Sequence, residues 1–206
     1  MTGGWRDLRE TDRDLAFCLL FAPASRRDML ADRLLFAHEA ESAIRVTSEP
    51  MLAAIRLQWW DDALETGRHE NVPLTMGLLG HMDTGRIAVE DLKAQLALWQ
   101  DRLQEDTYGV SACWQDFFQQ FAAGDDTREP AGAVGRAFGD PDQVTGILDR
   151  HLASLDTGQF RWIGMLGLLL RHRCSVPAGD ADPMLVWRML GWRYGFRRPP
   201  APPTTG

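Results

Sequence analysis

Apolar residues recur at steps of three and four positions along most of this chain, a spacing that places side chains on one face of an α-helix. The clearest example is Ser25–Arg45, in which Leu30, Leu34, Ala37 and Ile44 follow this spacing. Strict alternation of apolar and polar residues, which would indicate β-strands, is rare, and clusters of β-branched residues are few. The pattern therefore predicts an all-α protein.

A second helix is predicted to begin at Ser48, whose hydroxyl can cap it. Pro50 lies close to its first position, where a missing backbone N–H costs nothing. The positions of this helix that are predicted to face the core are Met51, Leu52, Ile55 and Trp59.

The same periodicity predicts several more helices, which brings the bundle to about seven or eight. Turn-rich breaks separate them, and the strongest candidate for a domain boundary is Gly124–Gly132. It is not strong enough to divide the chain, so we predict one helical domain over residues 1–196 and a Pro-rich disordered tail over 197–206. The further predicted helices are Val89–Gln104, Val110–Ala122, Pro141–Leu155, Phe160–Arg171 and Pro183–Tyr194.

Composition narrows the class of protein. The 206 residues fit one domain, and 45% apolar with 25% charged residues is ordinary for a globular protein with a real core. The formal net charge of -7 argues against a nucleic-acid-binding protein, which usually carries a basic face. Cys18, Cys113 and Cys174 are far apart and odd in number, so we interpret them as reduced thiols of a cytosolic protein.

No segment predicts a membrane span. The most apolar run, Trp162–Leu170, is far shorter than the ~20 residues that cross a bilayer. The charged N-terminus lacks the apolar region of a signal peptide. We therefore expect a cytoplasmic protein, with peripheral attachment to the inner face of the membrane as the alternative.

Candidate chemistry begins in the stretch Ser48–Glu65, which carries Arg56, Gln58 and the adjacent Trp59 and Trp60. One interpretation is structural: the tryptophans pack in the core and at its rim, and Arg56 stacks on Trp60 one turn later. The other is functional: the four side chains line a cavity or a docking face. The two interpretations are compatible, because a cavity wall is also part of a core.

Three segments in the first third of the chain resemble the squalene/phytoene synthase family. They are "LFAPASRR" (Leu20–Arg27), "SEPML" (Ser48–Leu52) and "IRLQWWDDAL" (Ile55–Leu64). The resemblance is strong over about fifty residues, Asp12–Glu65, and faint at "LGLLLRHRCSVPAG" (Leu166–Gly179).

The resemblance implies an all-α isoprenoid-synthase-like helix bundle around a central cavity, in a shortened form. Enzymes of this family join two prenyl diphosphates head to head, and two Asp-x-x-x-Asp motifs hold the magnesium ions that bind the diphosphates. The spacing places both carboxylates of a motif on one helix face, where hard cations can bridge them to phosphate oxygens.

Neither aspartate-rich motif is intact here. Matched to the family pattern, the first motif falls on Glu41 and Arg45, and a guanidinium cannot bind magnesium. The segment most similar to the second motif contains Asp149, but the residue four positions later is Ala153, which has no carboxylate. The chain is thus similar to the non-catalytic branch of the family, which includes a mitochondrial complex I assembly factor.

Two other carboxylate pairs have the same four-residue spacing, but they do not lie at the positions that match the family motifs. Asp28 and Asp32 come about three turns too early, and we predict that they are a surface feature. Asp61 and Glu65 follow the tryptophan pair and are predicted to face solvent. No cofactor is expected, and magnesium is expected only if the protein is an active enzyme.

The pocket candidates combine the residues of the resemblance with a polar cluster around His38. This cluster is predicted to face a wet cavity or solvent, since the sequence shows no second group of metal-binding residues that could complete a metal site with it. Tyr108 is included because the resemblance places its region at the cavity. The full set is His38, Glu41, Arg45, Arg56, Gln58, Trp59, Trp60 and Tyr108.

The C-terminal stretch Val186–Arg198 differs from the acidic rest of the chain, because aromatic and basic residues alternate in it. One interpretation is a helix at an anionic membrane surface, with rings at the headgroup level and arginines at phosphates. The other is a docked terminal helix whose arginines pair with the acidic body. The membrane-surface candidates are Trp187, Arg188, Trp192, Arg193, Arg197 and Arg198.

Three functions remain open at this level. The first is a non-catalytic assembly factor or lipid-associated adaptor with a protein partner. The second is a divergent magnesium-dependent prenyltransferase that makes squalene- or phytoene-type products. The third is a carrier that binds a prenyl or other lipid ligand without converting it. A pocket lined by the tryptophan pair without facing carboxylates would favour the first and third.

Overall fold

A computed structural model of the chain confirms the all-α class, since every regular element among the residues it describes is helical. Those residues contain eleven α-helices and four short 3₁₀ segments, more than the seven or eight helices expected. The described residues are 4–46, 49–67, 72–104, 109–122, 125–175 and 182–201.

The extra helices come from three places that the periodicity did not mark. Two short helices precede the first predicted one, another begins at Pro73, and one occupies the predicted break Gly124–Gly132. The helices are α1 Gly4–Thr11, α2 Arg13–Cys18, α3 Arg27–Val46, α4 Pro50–Thr66, α5 Pro73–Asp83, α6 Val89–Gln104, α7 Val110–Phe121, α8 Asp125–Gly139, α9 Asp149–Leu155, α10 Arg161–Ser175 and α11 Leu185–Arg193.

One predicted helix, Pro141–Leu155, is divided in the structure. Asp140 caps a 3₁₀ segment, Pro141–Gly146, by accepting a hydrogen bond from the Asp142 N–H. Extended backbone at Ile147 then ends that segment before α9 begins. Proline and glycine at the two ends of the 3₁₀ segment favour this division over a continuous helix.

The helices group into two compact units, Met1–Leu19 with Ala24–Cys113, and Leu20–Pro23 with Trp114–Gly206. The single domain over 1–196 and its disordered tail over 197–206 stay predictions; residues 202–206 lie outside the described part. In the first unit, α3 packs against α1, α4, α5 and α6. Because it has neighbours on several sides, α3 also buries polar residues, namely Asp32, Arg33 and Glu41.

The predicted buried face of α4 is wrong. Met51, Leu52, Ile55 and Trp59 are all at least 45% exposed. At about 100° per residue, the face in contact with the core is rotated by roughly 140° around the helix axis from the predicted one. Both sets follow three- and four-residue steps, so periodicity alone could not choose between them. The buried residues are Ala53, Leu57, Trp60, Ala63 and Leu64.

In the second unit, α10 packs against α8 and α9, and it buries the apolar run Trp162–Leu170 almost completely. Edge-to-face aromatic contacts fill the space beside it, for example between Trp114 and Phe138 with ring centroids 4.8 Å apart. Within the described ranges, none of the helices has the length and apolarity needed to cross a membrane. The three cysteines form no disulfide bond; Cys18 and Cys113 are buried, and Cys174 is exposed.

Candidate functional site

The first unit contains a cavity of about 650 Å³ between α1, α3, α4 and the beginning of α5. Its wall is mainly apolar, with three charged side chains and one hydroxyl among the lining residues. The lining residues are Asp7, Thr11, Leu35, Glu39, Ile55, Arg56, Trp59, Trp60, Val72, Pro73 and Leu74.

The tryptophan pair of α4 has two different roles in this wall. Trp60 is only 6% exposed, and its ring meets Phe36 edge to face with centroids 5.2 Å apart. Trp59 meets Trp60 in the same geometry at 5.0 Å but is 45% exposed. Trp60 therefore belongs to both the core and the cavity wall, whereas Trp59 provides apolar cavity surface that solvent can reach.

Arg56 also lines the cavity, where its guanidinium Nη2 lies 3.9 Å from Glu39 Oε2. Both side chains are well exposed, so this ion pair adds little to stability. Gln58 is on another side of α4, where its amide donates a hydrogen bond of 2.9 Å to Asp62 in exposed surroundings. The structure thus places Arg56, Trp59 and Trp60 together at the cavity and Gln58 away from its lining.

His38, Glu41 and Arg45 form a separate polar cluster, and none of the three lines the cavity. His38 lies 3.7 Å from Asp12 and 3.8 Å from Glu41, and Arg45 Nη1 donates to Glu41 Oε1 at 3.1 Å. Burial lowers the pKa of His38, although the carboxylates of Asp12 and Glu41 oppose this. Burial likewise raises the pKa of Asp12, which also caps α2 by accepting from the Leu15 N–H. The cluster ties α2 to α3.

Tyr108, the remaining pocket candidate, lies outside the described residues.

A buried carboxyl–imidazole pair that the sequence did not reveal lies where α1, α3 and α5 meet. Asp32 is only 6% exposed, and its Oδ2 is 3.1 Å from His81 Nε2. The carboxyl group occupies space that a Cβ at Gly4 or Gly77 would fill. The prediction that Asp28 and Asp32 form a surface feature is therefore wrong for Asp32, although Asp28 is exposed.

Burial raises the pKa of Asp32 to about 7, and the nearby carboxylates of Asp28 and Asp7 add to this. Burial also lowers the pKa of His81, with Arg86 acting in the same direction. Both shifts favour the neutral forms, so the two groups are best described as sharing one proton near neutral pH. Glycines at positions 4 and 77 are the only sequence signal, and they become meaningful once the three helices are known to meet.

The carboxylates that most resemble metal ligands are each bound by an arginine. Besides Glu41 with Arg45, Asp149 Oδ1 accepts a hydrogen bond of 2.6 Å from Arg171 Nη1. Ala153 shares a cavity of about 300 Å³ with Asp149 in the second unit. Among the residues that the structure describes, no three His, Cys, Asp or Glu side chains converge as metal ligands would.

The other carboxylate pair with four-residue spacing has a lysine as its neighbour. Lys93 Nζ lies 3.6 Å from Asp61 and 3.8 Å from Glu65, which links α4 to α6. Glu65 is exposed, as predicted, whereas Asp61 is half-buried.

The membrane-surface candidates differ in how far their side chains are exposed to solvent. Trp187, Arg197 and Arg198 are exposed. Arg188, Trp192 and Arg193 are half-buried in the second unit.

Comparison of the chain with protein-family models, with curated proteins and with solved structures gives no match. The resemblance to the squalene/phytoene synthase family therefore rests on the sequence segments alone and stays a prediction.

Proposed function

We propose that this protein is a non-catalytic, lipid-associated adaptor that holds one prenyl or similar apolar chain in the cavity of its first unit. The observation that carries the proposal is the cavity itself. Its volume of about 650 Å³ falls in the range of small-molecule sites, and Trp59, Trp60 and Ile55 give it an apolar wall. Arg56, at the same wall, can bind a polar head on the ligand.

The absence of catalysis is supported by the arginines at the two degenerate motifs. Magnesium in diphosphate chemistry needs several oxygen ligands that are free to approach it. Glu41 and Asp149 each accept a hydrogen bond from a guanidinium, and that positive charge repels a cation from the same oxygens. The resemblance points the same way, towards the non-catalytic branch with its complex I assembly factor.

A protein partner is supported by the exposed side of α4. Met51, Leu52 and Ile55 are between 48% and 73% exposed and lie on the same side as Trp59. Contiguous apolar surface of this kind often marks an interaction site. The proposed location is the cytoplasm, or the inner face of the membrane as a peripheral protein.

Ligand binding is tested with a fluorescent farnesyl analogue and anisotropy. We expect saturable binding that Trp59→Ala weakens at least about tenfold, because this change removes apolar contact area between ligand and protein. Each kcal/mol of lost binding free energy lowers the affinity about fivefold. The matched control is Met76→Ala, which removes an exposed apolar side chain of α5 that does not line the cavity and should leave the affinity unchanged. Equal binding by all three proteins would refute the cavity as the site.

Catalysis is tested by following diphosphate release from farnesyl and geranylgeranyl diphosphate with magnesium. We expect no release by the folded protein. Release that Glu41→Ala abolishes would instead establish the alternative, a divergent head-to-head prenyltransferase. Release that Glu41→Ala leaves unchanged would also refute the non-catalytic proposal, with the metal ligands elsewhere in the chain.

A further inference from the structure

The second unit contains a basic cavity of about 390 Å³ where the end of α10 approaches α11 and the segment after it. Three arginines, a histidine and a serine hydroxyl contribute to its lining, with one indole ring. These residues are His172, Ser175, Arg188, Trp192, Arg197 and Arg198.

The backbone after α11 fixes the position of one of these arginines. Gly195, with φ of 74°, adopts a left-handed conformation and turns the chain back. The Arg197 N–H then donates to the Gly191 carbonyl at 3.1 Å. The stem of Arg197 lies across Gly191 so closely that a Cβ there would come within 3.1–3.2 Å of it. The cavity is therefore built by the fold of this segment.

Positive charge exceeds negative charge around the cavity. Asp182 binds Arg188 with an Nε–Oδ2 distance of 2.6 Å and lies 3.5 Å from His172. Although burial opposes it, hydrogen bonds from the Met184 N–H and from Arg188 lower the pKa of Asp182, so this carboxylate stays ionised. In the part of the chain that the structure describes, neither Arg197 nor Arg198 lies within ion-pair distance of a carboxylate.

Three exposed aromatic rings belong to α11 and the segment after it, which also carry the arginines of the cavity. Trp187 is 66% exposed, Tyr194 is 64% exposed, and Phe196 is 85% exposed. Arg193 lies over the Tyr194 ring, 5.5 Å from its centroid. Aromatic rings beside arginines match the headgroup region of a bilayer, which offers apolar contacts next to phosphates. A free phosphate in solution would use the arginines but not the rings.

We propose that this basic cavity binds the phosphate of an anionic phospholipid, with Trp187, Tyr194 and Phe196 entering the interface of the membrane around it. The rest of the chain works against such binding, since the formal net charge is -7. The segment from residue 183 to residue 201 carries four arginines and no acidic residue, so attraction to an anionic surface is local to it. This site lies in a different unit from the apolar cavity and does not depend on its function.

The test is sedimentation of the full chain with vesicles of phosphatidylcholine alone and of phosphatidylcholine mixed with phosphatidylglycerol. We expect binding to the mixed vesicles only, and weaker binding as salt is raised. The double variant R197E/R198E should lose at least about twentyfold in affinity, because each arginine near an anionic surface contributes about fivefold and the change reverses two charges. Equal binding of wild type to both vesicle types would overturn the proposal.

The matched control is R128E/R150E, which reverses two charges at exposed arginines of α8 and α9 in the same unit. It should keep at least half of the wild-type affinity. If it loses as much as R197E/R198E, the binding depends only on net charge, and the site is refuted. Circular dichroism of both variants checks that each remains helical, and loss of binding counts only for a folded variant.

Two further measurements separate a membrane from a soluble phosphate. W187A/F196A should weaken vesicle binding, because it removes two of the three rings and keeps every arginine. Inorganic phosphate, titrated at constant ionic strength, should not displace the protein from mixed vesicles. Displacement by phosphate, together with unchanged binding of W187A/F196A, would overturn the membrane assignment in favour of a soluble phosphate ligand.

Discussion

At the scale of single residues, the most unusual group is Asp32, a carboxyl buried between three helices. Its partner is His81 at 3.1 Å, and Gly4 and Gly77 leave the space that it fills. A buried carboxylate is costly, because the charged form loses its hydration. This cost appears as the raised pKa of about 7.

The raised pKa makes stability depend on pH. Between about pH 4 and pH 7, folded Asp32 keeps a proton that the unfolded chain, with a pKa near 3.8, has already released. The contribution of Asp32 to the free energy of unfolding therefore falls as pH rises through this window and levels off above it. The effect is roughly 4 kcal/mol at most, since one pKa unit corresponds to about 1.4 kcal/mol.

We predict that Asp32→Asn, which stays neutral at every pH, gains stability relative to wild type as pH rises from about 4 to about 7. Urea unfolding at several pH values measures the difference in the free energy of unfolding between the two proteins. Glu90→Gln, an exposed carboxyl in the same unit, is the control and should show little change. A difference that shrinks with rising pH would mean that ionised Asp32 pairs favourably with protonated His81.

At the scale of secondary structure elements, one ion pair joins α9 to α10. Arg171 is 2% exposed in the middle of the second unit, and Asp149, at the first position of α9, accepts its hydrogen bond at 2.6 Å. Arg171 Nε has no hydrogen-bond partner. Asp149 is thus the group that neutralises a buried charge.

We predict that Asp149→Ala lowers the free energy of unfolding by about 1–2 kcal/mol, because it leaves the guanidinium of Arg171 buried without its counter-charge. Water screens part of this interaction, since Asp149 itself is 78% exposed. Chemical denaturation at neutral pH measures this loss. The double variant D149A/R171M should recover most of it, since methionine fills the space without a charge.

The control for this prediction is Asp156→Ala, which removes a carboxylate near the C-terminal end of α9. Its partner Arg161, at 3.3 Å, is 28% exposed and so stays hydrated, unlike the buried Arg171, and the loss of Asp156 should cost less than about 1 kcal/mol. Equal losses from Asp149→Ala and Asp156→Ala would show that burial of Arg171 does not determine the effect.

At the scale of the whole molecule, charge is distributed unevenly. The chain is acidic, with 29 Asp and Glu against 22 Lys and Arg, whereas the C-terminal segment is basic. Long-range attraction to a nucleic acid depends on the field of the whole protein, and here that field is repulsive.

We predict that the protein does not bind a labelled DNA duplex at physiological salt, as measured by fluorescence anisotropy. The basic segment supplies only four arginines, too few to overcome repulsion by the acidic surface. Binding to DNA that R197E/R198E abolishes would contradict this prediction and would point to the basic cavity as a nucleic-acid site.

The sequence by itself determined the helical class and the positions of the main helices. Periodicity placed α6 at its observed bounds and α3 within two residues of them, because three- and four-residue spacing is a local property of the backbone. The residue types in Ser48–Glu65 also singled out Arg56, Trp59 and Trp60, which the structure brings together at one cavity. The local sequence pattern was sufficient for features that depend on neighbouring residues within one helix.

Tertiary structure alone decided which side of α4 is buried, which carboxylates are paired and where polar groups lie inside. Asp32 meets His81 across 49 positions of sequence, and Asp149 meets Arg171 across 22. Such pairs depend on how helices pack, and a single sequence does not encode that packing at any fixed spacing. The basic cavity likewise exists because the chain turns back at Gly195, which places Arg197 beside Gly191.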